Sequence, residues 1–156
     1  MLPISIPQFG EFEFEHLVLD YNGTLAVDGT LIDGVASRLN MLADSLEIHV
    51  VTADTFGKAR ENLADVRCSL AILPPGAQDT AKMETVAALG AERTIAIGNG
   101  RNDALMLKAA GLGIAVLQKE GASVVTLLTA DVVVSSILDA LDLLTNPLRL
   151  KATLRA

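Results

Sequence analysis

The sequence predicts an α/β fold in which a parallel sheet is covered by helices on both faces. Short segments rich in valine, isoleucine and leucine alternate with longer segments whose apolar residues recur at helical spacing. The short segments mostly lack polar alternation, which is typical of strands buried on both faces. Repeated strand, helix and strand favours parallel strands joined by right-handed crossovers. The expected architecture therefore has three layers.

This alternation covers most of the chain. The predicted strands are LVLD (17–20), IHVVT (48–52), LAILP (70–74), TIAIG (94–98), GIAV (113–116) and DVVV (131–134). The helical segments often have Asp, Thr or Ser near their starts and Gly near their ends, as helix boundaries favour. These segments are residues 33–46, 55–66, 79–90, 102–111, 120–128 and 135–146.

Three further segments lie outside the alternation. AVDGTLI contains Asp28-Gly29 between strand-forming residues, which predicts a small β-hairpin flap over residues 25–32. ISIPQFGEFEFE alternates polar and apolar residues and predicts an extra antiparallel pair suited to a sheet edge. The ending NPLRLKATLRA is either a short terminal helix or a solvated tail.

Composition limits the classes of function. A chain of 156 residues with 51% hydrophobic content suits one domain, 1–156, with a substantial core. The N-terminus has neither the basic start nor the apolar stretch of a signal peptide, so we expect a cytoplasmic protein. The net charge of −7, with no basic block, disfavours nucleic acid or an anionic membrane as partner. A small ligand is the expected partner.

The cysteine and the two histidines are predicted to be structural. Cys68 is the single cysteine and lies in CSLAIL, so we expect a buried thiol and no internal disulfide. His16 and His49 lie at strand starts, and no nucleophile or metal-ligand cluster is paired with them in the sequence.

Polar residues follow several predicted strands. In an open parallel sheet, ligands bind outside the carboxyl ends of the strands. Any single residue here is explained equally well as a helix cap or turn former. Together with Lys82, near the start of a helix, the set suits a hard divalent cation and a phosphate. Its members are Asp20, Asn22, Thr24, Thr52, Asp54, Asn99, Arg101, Asn102 and Asp103.

Four segments resemble, in order, the motifs of the haloacid dehalogenase superfamily. LVLDYNGTL resembles its first motif, a strand followed by Asp-x-Asp-x-Thr, and IGNGRNDALML its fourth, usually Gly-Asp-Gly-x-Asn-Asp. Thr52 and Lys82 occupy the second and third motif positions. The resemblance covers roughly residues 16–116 and implies a three-layer Rossmann-like fold without a large cap domain. A dinucleotide fingerprint fits the fourth segment poorly, because Asp103 stands where its third glycine would be.

This resemblance implies a Mg²⁺-dependent phosphohydrolase. Asp20 would attack a phosphoryl group to give an aspartyl phosphate, and Thr52 and Lys82 would hold the phosphoryl oxygens. The implied catalytic residues are Asp20, Asn22, Thr52 and Lys82, and the implied phosphate-binding residues are Asp20, Gly23, Thr52, Ala53 and Lys82. The implied magnesium site comprises Asp20, the backbone carbonyl of Asn22, Asn99 and, in a supporting position, Asp103. Thr24 and Asn102 would support these groups.

Two amides depart from the superfamily pattern. Position 22 normally carries the general acid and base of the phosphatase branches, and the amide of Asn22 can perform neither role. We therefore expect good leaving groups to be favoured. Asn99 replaces a metal-binding aspartate; its oxygen can bind magnesium but brings no charge, so metal affinity should fall.

The resemblance leaves three functions open. The first is the phosphohydrolase, and the second is a slow phosphoacceptor similar to soluble relatives of the P-type ATPase phosphorylation domain, which also lacks the acid at the second position. The third is a catalytically silent binding module that keeps the fold. The hairpin is either a flap or a contact in a homo-oligomer, since relatives with minimal caps often shield their sites by oligomerising. Arg101 either contacts substrate or faces solvent.

Overall fold

A computed structural model describes residues 1–54 and 57–156 of the chain. In chain order, the strands are β1 (Leu2–Ile6), β2 (Gly10–Phe14), β3 (His16–Leu19), β4 (Ala26–Val27), β5 (Thr30–Leu31), β6 (Glu47–Thr52), β7 (Ser69–Ile72), β8 (Thr94–Gly98), β9 (Leu112–Val116) and β10 (Val132–Val134). The helices are α1 (Val35–Leu42), α2 (Ala59–Asn62), α3 (Gln78–Leu89), α4 (Ala104–Ala109), α5 (Val124–Thr129), α6 (Ile137–Thr145) and α7 (Pro147–Leu154).

The predicted parallel sheet is confirmed. It has six strands in the order β10-β9-β8-β3-β6-β7, and every neighbouring pair is parallel. The first strand of this sheet along the chain is β3. β6 and β7 follow on one side of it, and β8, β9 and β10 lie on the other side. The strand order therefore reverses between β3 and β8, so the loops that follow these two strands lie side by side, where open α/β sheets bind ligands.

Helices cover both faces of this sheet, as predicted. Side chains alternate across β3, so Leu17 and Leu19 belong to one apolar cluster and Val18 to another. The larger cluster includes buried residues of α1, α6 and α7. The smaller one includes Val86 of α3 and Met106 of α4. The three layers follow from this division of the core.

The N-terminal segment forms the predicted antiparallel pair, but not on the edge of the main sheet. β1 and β2 pair from Leu2–Phe14 to Ile6–Gly10 as a separate two-stranded sheet. Buried Ile4, Ile6 and Phe14 join the larger apolar cluster. Burial of their apolar face, rather than hydrogen bonding to an edge strand, therefore holds the pair against the domain.

Strand β7 is more exposed than predicted. It lies at the end of the sheet and pairs only with β6, and Ile72 is 43% exposed. The expectation of a strand buried on both faces is therefore wrong for β7. Cys68, which precedes it, is only partly buried, although that burial raises the pKa of its thiol above the ordinary value.

Helix boundaries differ from the predictions at several points. α2 is a single short helix within the predicted 55–66, of which Thr55 and Phe56 lie outside the described residues. α5 begins at Val124 rather than near Glu120. The C-terminal segment is the helix α7, with proline at its start, rather than a tail. In the described ranges, no helix has the length and apolar character needed to cross a membrane.

The predicted hairpin is present as β4 and β5. Asp28 and Gly29 both have positive φ, 51° and 78°, as a two-residue type I′ turn requires. The buried Tyr21 hydroxyl donates a hydrogen bond to the Gly29 carbonyl at 3.0 Å. Asn62 of α2 donates to both the Tyr21 hydroxyl and the Gly29 carbonyl at 2.9 Å. These bonds fasten the hairpin to α2.

Replacing Tyr21 by Phe should lower the free energy of unfolding by about 1 kcal/mol, because it removes the hydrogen bonds of a buried hydroxyl while keeping the ring. Urea denaturation measures this change. Ser37→Ala removes an exposed hydroxyl that donates to the Gly34 carbonyl and serves as the control, with a smaller loss expected. Equal losses in the two variants would contradict the role assigned to Tyr21.

Candidate active site

The site lies at the carboxyl edge of the sheet, where the loops after β3, β6 and β8 meet. Asp20 directly follows β3, and its backbone N–H donates to the carbonyl of Ile97 in β8 at 3.0 Å. Thr52 ends β6, and Asn99 follows β8. A cavity of about 200 Å³ opens between these loops. Its lining residues are Asp20, Asn22, Thr52, Ala53, Gln78, Asn99, Gly100 and Asn102.

A buried lysine links two carboxylates behind this cavity. The Nζ of Lys82 lies 2.7 Å from Oδ1 of Asp20 and 2.7 Å from Oδ1 of Asp103. Lys82 and Asp103 are fully buried and Asp20 is 6% exposed. α3 therefore places the Lys82 ammonium between the loops that follow β3 and β8, the two strands between which the strand order reverses.

Burial changes the proton affinities of this cluster. Desolvation and the neighbouring Asp103 carboxylate raise the pKa of Asp20 to about 7, although Lys82 and Thr24 oppose the shift. Desolvation alone would lower the pKa of Lys82, but the two carboxylates outweigh it and raise that pKa above its ordinary value. Lys82 therefore remains an ammonium ion across the neutral range.

Asp103 organises the loop after β8. Its Oδ2 accepts hydrogen bonds from the backbone N–H groups of Asn99 and Gly100 at 3.0 and 2.9 Å. A Cβ at Gly98 would lie 2.5 Å from the Asp103 carboxyl carbon, so only glycine fits there. Because Lys82 takes the other oxygen, both carboxylate oxygens of Asp103 already have partners. This suits a supporting role better than direct binding of a ligand.

The amide of Asn99 joins three loops. Its Oδ1 lies 3.1 Å from the Thr24 hydroxyl, which is also 3.1 Å from Oδ2 of Asp20. Its Nδ2 donates to the Gly121 carbonyl at 3.0 Å. Gly23 has φ 79°, and a Cβ there would collide with the Asn99 amide. An ionised aspartate could not donate to Gly121, so this amide is built into the packing of the loops.

The amide of Asn22 has a different environment. Its Oδ1 is buried, and no residue in the described part of the chain gives it a hydrogen bond. Leaving a buried acceptor unpaired costs about 1–3 kcal/mol, which the packing of the surrounding loops must offset. The Asp20 carboxylate, the backbone carbonyl of Asn22 and the side-chain oxygen of Asn99 are hard oxygen donors of the kind that Mg²⁺ prefers. The donor set around the cavity therefore fits this cation.

Comparisons with known proteins agree with the fold and give the family. The family model for haloacid dehalogenase-like hydrolases matches residues 67–136. An uncharacterized protein of Methanocaldococcus jannaschii is 51% identical over 84 residues, which cover 51% of this chain and 90% of the relative. The chain belongs to the haloacid dehalogenase superfamily. A second uncharacterized protein of this organism is 46% identical over 39 residues, covering 25% of this chain and 89% of that relative.

Solved structures of the superfamily share the fold. The cobalt-bound deoxy-D-mannose-octulosonate 8-phosphate phosphatase of Haemophilus influenzae aligns with TM-score 0.71 at 20% identity, over 91% of each chain. The Moraxella catarrhalis phosphatase, in complex with magnesium, phosphate and KDO, gives 0.65 at 15% identity, over 86% of this chain and 87% of its own. Apo phosphoserine phosphatase gives 0.64 at 18% identity, over 85% of this chain and 98% of its own.

Two glutamines of this superfamily member were not anticipated from the sequence. Gln78 lines the cavity, and its side-chain oxygen accepts from the Asn102 amide at 3.1 Å. Gln118 donates to the carbonyls of Gly23 and Thr24 at 3.1 and 2.7 Å, and so holds the loop after β3 from outside. Neither glutamine belongs to a motif or is close in sequence to Asp20, so no local signal marks them.

The remaining predicted residues lie at or beside the cavity. The buried Thr52 hydroxyl accepts from the backbone N–H of Asp54 at 3.0 Å. The backbone N–H of Gly23 donates to the Ala26 carbonyl at 2.9 Å and is therefore engaged in its own turn. Arg101 is exposed and lines a neighbouring cleft of about 470 Å³, which shares Gln78 and Asn102 with the cavity.

The raised pKa of Asp20 predicts a pH dependence of stability. A carboxyl group whose pKa rises from 3.8 to about 7 on folding contributes stability at low pH that is lost as the pH rises through 7. Asn at this position does not titrate. The unfolding free energy of Asp20→Asn relative to the natural protein should therefore increase between pH 5 and pH 8, in metal-free buffer.

Urea denaturation of both proteins at the two pH values measures this difference. The change of this free-energy difference with pH reports the titration of Asp20. Its absolute value also contains the cost of removing an ion-pair partner from Lys82. Asp65→Asn, which alters an exposed carboxylate, is the control and should show no comparable trend. A pH-independent difference for Asp20→Asn would contradict the raised pKa.

Proposed function

We propose that the protein is a Mg²⁺-dependent phosphohydrolase that works through an aspartyl phosphate on Asp20. The observation that carries this proposal is the position of the Asp20 carboxylate, which lines a small cavity and lies 2.7 Å from the buried Lys82 ammonium. Membership of a hydrolase superfamily supports it, as does a fold shared with phosphatases that act on small phosphorylated compounds.

The cation would be held by the Asp20 carboxylate, the backbone carbonyl of Asn22 and the side chain of Asn99, with Asp103 in support. When bound, Mg²⁺ neutralises charge on the phosphoryl group and on Asp20. Two carboxylates and one ammonium leave the buried cluster a single negative charge when all are ionised. This is less than aspartates at positions 22 and 99 would give, so we expect modest metal affinity.

In the first step, a carboxylate oxygen of Asp20 forms a bond to phosphorus while the bond from phosphorus to the leaving oxygen breaks. The leaving oxygen departs with the bonding electron pair. Lys82 and the Thr52 hydroxyl offset the charge on the phosphoryl oxygens. In the second step, a water oxygen attacks phosphorus, the bond to Asp20 breaks, and inorganic phosphate is released with the carboxylate restored.

Asn22 determines which substrates suit this site. An amide neither donates a proton to a departing alkoxide nor takes one from the attacking water. Leaving groups that are stable as anions, such as carboxylates and aryl oxides, need no such help. We therefore infer that acyl and other activated phosphates are better substrates than alkyl phosphates.

The cavity dimensions suggest how such a substrate lies. A space of about 200 Å³ is suited to a phosphoryl group, and the neighbouring cleft to the rest of a small substrate. Arg101 in that cleft would then meet an anionic part of the substrate. The hairpin tip, where the Asp28 N–H donates to the Glu120 carboxylate at 3.1 Å, would act as a flap on the other side.

The second candidate is a slow phosphoacceptor. Hydrolysis of the aspartyl phosphate requires activation of water, and no general base stands at position 22. The same residues would then carry a long-lived phosphoryl group on Asp20, as in P-type ATPase phosphorylation domains. The two candidates differ only in the rate of the second step.

Mass spectrometry of the protein after brief incubation with Mg²⁺ and acetyl phosphate, together with a time course of phosphate release, tests the proposal. We expect release of phosphate that depends on Asp20 and is abolished in Asp20→Asn. Accumulation of a phosphoryl adduct that decays slowly would identify the phosphoacceptor instead. Neither adduct nor Asp20-dependent release, across several phosphate donors, would overturn both candidates and leave a silent binding module.

Asn22→Asp should restore general acid-base catalysis. We expect turnover of an alkyl phosphate to rise by ~10²- to 10⁴-fold, with a much smaller gain for acetyl phosphate. Steady-state rates with the two substrates measure the contrast. Asn102→Asp, which adds a carboxylate elsewhere on the cavity lining, is the matched control. Similar gains in both variants would mean that added charge, not proton transfer, limits the rate.

A further inference from the structure

We propose that His16, Glu47 and His49 form a Zn²⁺ site at the amino edge of the sheet, opposite the Asp20 cavity. These residues include both histidines of the chain. They lie at or near the starts of the neighbouring strands β3 and β6, where His16 and Glu47 are register partners. His49 follows Glu47 by two residues and therefore projects from the same face of the sheet. The cluster is independent of the proposed phosphatase activity.

The separations within this cluster match the edges of a tetrahedral zinc centre. Zinc–nitrogen and zinc–oxygen bonds of about 2.0–2.2 Å place neighbouring ligand atoms of a tetrahedron about 3.3–3.6 Å apart. Nδ1 of His16 lies 3.3 Å from Nε2 of His49 and 3.4 Å from Oε2 of Glu47. The third edge, from Nε2 of His49 to Oε2 of Glu47, is 3.8 Å. Glu47 has an exposed side chain that can close this small excess by rotating.

The outer nitrogen of each histidine faces an oxygen atom. Nδ1 of His49 lies 3.0 Å from the Ser69 hydroxyl, which is in turn 3.5 Å from the Ile48 carbonyl. If the hydroxyl donates to that carbonyl, it accepts from the Nδ1–H of His49. The lone pair of His49 is then on Nε2, directed at the cluster. Such outer partners orient histidine ligands in metal sites.

His16 has a looser outer contact, too long for a direct hydrogen bond. Its Nε2 lies 3.9 Å from the carboxylate of Glu15, which is itself held by Arg93 at 2.9 Å. Nδ1 of His16 is the ring nitrogen that faces His49 and Glu47, and so is the one placed to bind a metal. Without a metal, the two inner nitrogens can share one proton as a hydrogen bond at 3.3 Å; a cation would replace that proton and bind both lone pairs.

The cluster combines two partly buried histidines with access from solvent. The side chains of His16 and His49 are 11% and 19% exposed, whereas that of Glu47 is 73% exposed. A cleft of about 330 Å³ adjoins Glu47, His49 and Ser69. An ion can enter from this side, and a water molecule can complete four-coordination. Two imidazoles and one carboxylate are a donor set that suits zinc better than magnesium.

Zinc titration of chelator-stripped protein, against a chromophoric competitor and in excess Mg²⁺, tests the site. We expect one Zn²⁺ per chain, retained in Asp20→Asn because the ion does not lie in the Asp20 cavity. His49→Gln should weaken binding by more than about 100-fold, and Ser69→Ala, which removes only an outer partner, by about 10-fold.

Glu47→Gln keeps the experiment decisive if the histidine variant fails to fold, because its side chain is exposed. We expect it to weaken zinc binding by at least about 10-fold. Glu13→Gln, an exposed carboxylate on β2, is the matched control and should bind as the natural protein does. Unchanged affinity in Glu47→Gln, or loss of the ion in Asp20→Asn, would overturn the proposal. A six-coordinate spectrum from bound Co²⁺ would likewise overturn the four-coordinate geometry.

Discussion

The buried ammonium of Lys82 is the interaction on which the site depends. It lies between two carboxylates at 2.7 Å each, and none of the three groups has more than slight exposure to water. Removing one partner from such a cluster costs about 3–5 kcal/mol, because the remaining charges stay buried. Lys82 thus holds α3 against the loops after β3 and β8. In the proposed mechanism, the same charge favours the ionised form of Asp20 that attacks phosphorus.

The two unusual amides of the site are not equivalent. Asn99 uses its oxygen toward Thr24 and its nitrogen toward Gly121, and the second of these hydrogen bonds, which a carboxylate could not donate, compensates for the replacement of an acid. Asn22 has no such compensation among the described residues. The first substitution is part of the packing, whereas the second leaves an unpaired acceptor beside the cavity. In the proposed mechanism, the lack of a general acid and base at Asn22 accounts for the preference for good leaving groups.

Strand β3 connects two different chemical environments. Asp20 follows its carboxyl end, in a cluster of oxygen donors suited to magnesium and beside the Lys82 ammonium. His16 begins its amino end, beside the nitrogen-rich cluster with His49 and Glu47. A zinc ion at that end would tie β3 to β6 and so support the strand that positions the nucleophile. The donor atoms at the two ends of β3 would favour different ions, because hard oxygen donors prefer magnesium and imidazole nitrogens prefer zinc.

The sequence by itself determined the parallel sheet, the helices on both faces and the turn at Asp28-Gly29, because strand periodicity, helix boundaries and turn chemistry are local properties. It also singled out Asp20 and Lys82 as candidate site residues, because they belong to motifs that occur in the same order as in the superfamily. The tertiary structure alone decided the exposure of β7, the contacts of Gln118 and the meeting of His16 with His49. These depend on which strands are neighbours and which lies at the edge, and packing between distant segments fixes that choice.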